Sequence, residues 1–150
     1  MIFGIPRELK DHETRVGAGL IPRNVATLIA QGHTVYFQKG VMEPAGVSDE
    51  EFLKVGAKCV DTMEEIYEKC DFIGKFKDMT DGDMKMPFKK GQIIMTAFHM
   101  AEGTAKPEQV KILADAGVTC ISIETSRYPD GSRAMTRPMG EIAGRTAPLL

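Results

Sequence analysis

Three side chains stand where chemistry is possible, by their type and by what precedes them. Arg15 follows the apolar run Ile2 to Ile5, Lys77 closes Gly74-Lys75-Phe76-Lys77, and His99 closes Thr96-Ala97-Phe98-His99. A guanidinium fork grips a carboxylate through two parallel hydrogen bonds, an ammonium steadies a carbonyl oxygen, and an imidazole moves a proton near neutral pH. The set suits a small 2-oxo or 2-amino acid. Taken singly, each has a plain reading as a surface charge, a solvated strand end or a satisfied loop histidine. One cleft would unite them, because ligands of an open parallel sheet bind beyond the carboxyl ends of its strands.

The elements that must position them follow from the apolar pattern. Short β-type runs alternate with helical periods, which predicts βαβ units, an α/β class and an open, mainly parallel, Rossmann-like sheet of about six strands with helices on both faces. The strands are expected at Ile2 to Ile5, Thr34 to Gln38, Lys58 to Val60, Asp71 to Phe76, Gln92 to Thr96 and Thr119 to Ile123. A helix is expected over Pro22 to Gln31, with Val25, Leu28 and Ile29 on one face and Gly32 as its stop, and another over Pro107 to Ala116, ended by Gly117. Ser48 to Glu51 and Thr62 to Glu65 have the S/T-x-x-E form that opens a helix. Residues between the first strand and Pro22 read as a loop, Met79 to Lys90 as a loop with a short helix, and Pro138 to Leu150 as a helix with no stop signal.

Composition narrows the function. The chain has 150 residues, 43% of them apolar, enough for one core. Its 19 basic and 21 acidic residues form no single-sign block, which argues against a nucleic-acid or anionic-membrane partner. No apolar run approaches the roughly 20 residues of a membrane span, and the first residues read as a strand and not a leader, so a cytoplasmic protein is expected. Cys59, Cys70 and Cys120 are far apart and read as reduced thiols in or near the core, with no metal-ligand spacing. Met79, Met84, Met86, Met95 and Met100 are expected to fill core gaps, and His12 and His33 to be exposed. Gly17-Ala18-Gly19 lacks the third glycine of a dinucleotide fingerprint, and Pro44 interrupts the Gly40 to Gly46 loop, so no phosphate cradle is expected.

The chain resembles the amino-terminal domain of the alanine dehydrogenase and pyridine-nucleotide transhydrogenase family. The resemblance runs through Gly4-Ile5-Pro6-Arg7-Glu8, Glu13-Thr14-Arg15-Val16, Gly32-His33-Thr34-Val35, Ser48-Asp49-Glu50-Glu51, Lys75-Phe76-Lys77, Gly91-Gln92-Ile93, Glu124-Thr125 and Pro138 to Arg145. It implies a substrate-binding domain over 1–137, and over 138–150 the start of a helix leading to a separate NAD- or NADP-binding domain or subunit. By this resemblance Arg15 and Lys77 contact the substrate, Lys77 and His99 are catalytic, and Met139 and Gly140 approach the nucleotide. The domain would be inactive alone and part of a homo- or hetero-oligomer.

Transhydrogenases of the family typically lack the lysine at 77 and the histidine at 99, so the resemblance favours the amino-acid dehydrogenase branch, which includes saccharopine- and opine-type enzymes. A stand-alone binding or regulatory module for an amino or oxo acid is the rival expectation, and a transhydrogenase subunit a further one. The loop after Arg15 is longer than usual in the family, Ala97 stands where an aromatic residue is common, and Gly140 replaces a serine.

Overall fold

A computed structural model describes residues 1–10, 13–14, 20–100 and 106–147, with only the backbone at 9–10 and 13–14. In chain order the regular elements are β1 (Ile2–Ile5), β2 (Leu9–Lys10), β3 (Glu13–Thr14), α1 (Pro22–Ala30), β4 (Thr34–Gln38), α2 (Asp49–Lys54), β5 (Lys58–Val60), α3 (Met63–Lys69), β6 (Phe72–Gly74), β7 (Ile93–Thr96), α4 (Pro107–Asp115), β8 (Thr119–Ser122) and α5 (Arg137–Thr146). Short 3-10 turns lie at Glu43–Ala45 and Asp83–Lys85.

Alternation along β4 explains why helices cover both faces of the sheet. Val35 and Phe37 are fully buried with Val25 of α1 and Phe52 of α2, and the Phe37 and Phe52 rings stack at 4.9 Å. Tyr36 points the other way and packs against the second cluster, which joins Ile66, Tyr67 and Cys70 at α3 with Ile73, Ile94 and Leu113. On that second face Gly4 is obligatory for packing. An added Cβ there would meet Ile66 Cγ2 at 2.6 Å and Cys70 Sγ at 2.8 Å, so only a bare backbone lets α3 lie this close to β1.

The helix starts obey local capping chemistry. The Glu65 N–H donates to the Thr62 hydroxyl at 3.2 Å and the Thr62 N–H donates back to the Glu65 carboxylate at 3.1 Å, while the Ser48 N–H donates to Glu51 at 3.1 Å. Gln92 completes the other end of α3: its buried amide donates to the carbonyls of Tyr67 and Cys70, both at 2.8 Å.

The six-stranded sheet runs β5-β4-β1-β6-β7-β8 and every pairing in it is parallel, a Rossmann-like α/β fold. Several expected boundaries need correction. The segment after β1 is not all loop, since β2 and β3 pair as an antiparallel hairpin. The strand expected over Asp71 to Phe76 is only Phe72–Gly74, and α5 begins at Arg137 instead of Pro138. Cys59 and Cys120 are exposed, each on an edge strand, because an edge strand is covered less than a central one; Cys70 alone is buried, and burial pushes its thiol up to about 12. His33 is half-buried rather than exposed, its ring 5.2 Å from that of Phe3. Met79 is buried and Met84 and Met86 pack on the same cluster, as gap-filling methionines should, whereas Met100 is exposed.

Candidate functional site at the strand-order reversal

Strand order reverses at β1. The chain builds outward from β1 to β4 and β5 on one side, then returns to lay β6, β7 and β8 on the other. In a doubly wound sheet the crevice at the carboxyl ends beside such a reversal is where ligands bind. Glu8, just past β1, and Lys77, just past β6, flank it.

The Lys77 turn is held from beneath by a charge set that is almost wholly out of solvent. Glu8 is 3% exposed; one carboxylate oxygen accepts from the Phe76 N–H at 2.7 Å and the other from the Lys77 N–H at 2.8 Å. The Lys77 carbonyl in turn accepts from the hydroxyl of the buried Thr96, at the end of β7. Lys75 and Asp83, 3% and 1% exposed, pair at 2.6 Å, and the same Asp83 oxygen accepts from the Thr80 N–H and hydroxyl at 2.7 and 2.8 Å.

Burial raises the Glu8 carboxyl above the usual range, against the pull of the two N–H groups and the Lys75 charge. Burial first, then the charges of Asp83 and Glu8, also pushes the Tyr67 phenol well up. A cavity of about 310 Å³ opens on this set, between Glu8, Lys75, Thr80 and Asp83 and the side chains of Met63 and Met86. The second oxygen of Asp83 has no hydrogen-bond partner among the described residues.

His99 lies just beyond β7 on a different kind of support. Its φ is +55°, the left-handed region that non-glycine residues enter at a cost, and its N–H donates to the buried Glu124 carboxylate at 2.6 Å. Burial would raise Glu124. The neighbouring Ser122 hydroxyl, its own N–H and the His99 N–H outweigh that and hold it below the usual carboxylate range.

The structure therefore brings Lys77 and His99 to the carboxyl ends of adjacent parallel strands, both half-buried. Arg15 and His12 lie outside the described residues, as does Gly17-Ala18-Gly19. Met139 and Gly140 sit on the exposed helix α5, with nothing within 4 Å of a Cβ added at Gly140. The Gly40 N–H, at the head of the other glycine loop, is bonded to the Asp49 carboxylate at 2.9 and 3.1 Å, so it is not held free for a phosphate. Among the described residues no cluster of His, Cys, Asp and Glu could hold a metal ion, and no helix is long and apolar enough to cross a membrane.

Glu8, Lys75, Thr96, Asp83 and Glu124 were not singled out by spacing. Glu8, Lys75 and Glu124 did stand in the stretches that carried the family resemblance. A charged residue inside an otherwise apolar strand pattern, as at Lys75, is the other local sign.

An open, all-parallel six-stranded sheet with helices on both faces defines a Rossmann-like α/β domain, its polar side chains gathered at the strand-order reversal. Residues 4–143 match the family model described as alanine dehydrogenase/PNT, N-terminal domain, and the chain belongs to this family. It is 35% identical to the alanine dehydrogenase of Methanococcus maripaludis over 97% of its own length and 37% of that protein's. It is also 35% identical to an alanine dehydrogenase of Mycobacterium tuberculosis, over 98% and 38%.

Among solved structures, an L-alanine dehydrogenase superposes with a TM-score of 0.88 at 31% identity over 98% of this chain and 39% of the other. A transhydrogenase from Sinorhizobium meliloti shares the fold, with a TM-score of 0.72 at 23% identity over 87% and 37%. The chain thus spans less than two fifths of the length of these relatives.

Proposed function

We propose that this chain is the substrate-binding part of an NAD(P)-dependent amino-acid dehydrogenase of the alanine dehydrogenase type, acting in the cytoplasm with a separate nucleotide-binding domain or subunit. The observation that supports this most is the pair Lys77 and His99 at the ends of β6 and β7, each with its backbone N–H held by a buried carboxylate. A backbone held in this way fixes where the side chain starts, the first requirement for positioning a small substrate.

In this reading Arg15 grips the substrate carboxylate, Lys77 orients and polarises the 2-oxo group, and His99 takes or gives the proton as the 2-amino or 2-oxo form is made. The described glycine loop, Gly40 to Gly46, does not offer its first N–H to a phosphate, since the Gly40 N–H is committed to Asp49. The nucleotide is therefore assigned to the remainder of the protein. Its nicotinamide supplies or accepts the hydride. In this reading 1–137 is the substrate domain and 138–150 leads on to the nucleotide-binding domain, the described part of that connection being α5, whose Met139 and Gly140 are assigned to the nucleotide.

The test is turnover with a nicotinamide nucleotide, a 2-oxo acid and ammonium, in the protein supplied with its nucleotide-binding part. Lys77→Met and His99→Asn are each expected to cut kcat by roughly 10²–10⁴, the usual contribution of a positioned acid or base, with melting temperatures little changed. Turnover equal to the parent in both variants overturns the reading. Binding of a 2-oxo acid without any hydride transfer in the parent points instead to a binding module.

A further inference from the structure

We infer that Glu8 is a positioning residue for the reaction, its carboxylate clamping the backbone of Lys77 so that the ammonium is held toward the substrate. The inference rests on the role given to Lys77 above.

The geometry is that of a clamp. Glu8 reaches across the β1/β6 crevice to residues 68 and 69 positions away, and spends one oxygen on each of two successive peptide N–H groups, Phe76 and Lys77. On the far side of the same residue the Thr96 hydroxyl takes the Lys77 carbonyl. With its N–H and C=O gripped from β1 and from β7, the Lys77 Cα has one orientation, and the Cα–Cβ bond sets where the four-carbon stem begins.

A carboxylate suits the task because both its oxygens accept, whereas a glutamine amide would turn two donor hydrogens toward one of the N–H groups. The clamp is also braced. Lys75, paired with Asp83, supplies positive charge beside the carboxylate, and Asp83 is itself fixed by Thr80. A group needed only to fill space here would not be a carboxylate at 3% exposure, since burying a charge is costly unless specific bonds offset it.

The experiment is a double-mutant cycle in the protein carrying its nucleotide-binding part. Glu8→Gln and Thr96→Val are made alone and on a Lys77→Met background, and kcat, KM and melting temperature are measured for each. If Glu8 acts through Lys77, Glu8→Gln lowers kcat about ten- to a hundredfold, the loss typical of a reacting group misplaced by an ångström, and costs nothing further once Lys77 is methionine. Thr96→Val, which keeps shape and removes the hydroxyl, shows the same coupling.

An unchanged kcat in Glu8→Gln overturns the inference, and so does an equal loss on both backgrounds, the sign of a role in the fold alone. A Lys77→Met protein as active as the parent overturns the reading of Lys77 itself, with or without an effect at Glu8. Should Glu8→Gln not fold, Glu8→Asp keeps the charge but falls one methylene short. It is then expected to lose kcat more than it raises KM, and full kcat in that variant overturns the inference equally.

Discussion

The turns that carry Lys77 and His99 solve one problem in two ways. Both leave a parallel strand, and both have the N–H of the key residue bonded to a buried carboxylate. Beneath Lys77 the carboxylate comes from across the sheet reversal, with a buried ion pair behind it and a carboxyl raised by burial. Beneath His99 the carboxylate comes from just past the adjacent strand β8, there is a left-handed backbone, and the carboxyl is lowered by its hydrogen bonds. To its carboxylate the Lys77 turn adds a buried ion pair, and the His99 turn a left-handed backbone. The two should fail differently.

The largest difference is expected at the ion pair. Asp83→Ala takes the ion-pair partner from a Lys75 that is only 3% exposed, a loss that typically costs about 3–5 kcal/mol and that chemical denaturation should show. If Asp83→Ala is within about 0.5 kcal/mol of the parent, the range of ordinary surface substitutions, the Lys77 turn does not depend on buried charge.

A smaller effect isolates the backbone of His99. Because φ is +55°, His99→Gly should be more stable than His99→Ala by about 1 kcal/mol, although both lose the imidazole. Equal stability of the two would mean that this backbone carries no strain. The same swap at Lys77 should favour alanine, since the positive-φ residues other than glycine comprise His99 alone among the described ones.

The smallest effect is one of sign with pH. A carboxyl raised in the fold contributes stability that is present below its unfolded value and lost as pH rises through its folded value. One that is lowered contributes stability above its unfolded value, which is lost as pH falls through the folded one. The destabilisation caused by Glu8→Gln should therefore shrink as pH rises from the acid side through the raised Glu8 range, while that caused by Glu124→Gln should shrink as pH falls below the ordinary glutamate range. Melting curves of the two variants and the parent across acid and neutral pH check this. Parallel trends would remove the distinction between the turns.

Particular residues show how far local pattern reached. Val35, Tyr36 and Phe37 announce a strand covered on both faces, and Thr62 with Glu65 a helix start, because period and capping act over a few residues. The six strands of the main sheet, the helices and the placement of Lys77 and His99 at strand ends could be read in this way. The premature end of β6 could not. The Lys75 N–H still donates to Met95, but the next two N–H groups leave the ladder for Glu8, a partner that no window along the chain contains.

The same division holds for the whole protein. Sequence alone determined the α/β alternation, the helix caps, the family and the residue types available for chemistry, since each rests on neighbours in the chain or on an extended likeness. Only the tertiary structure decided that strand order reverses at β1, that Glu8 closes over Lys77 there, that Lys75 faces Asp83 rather than solvent, and that the thiols of Cys59 and Cys120 lie outside the core. The physical reason is the same in each case. A buried charge or an edge strand is defined by what lies across space from it, and that partner is set by the packing of the whole sheet.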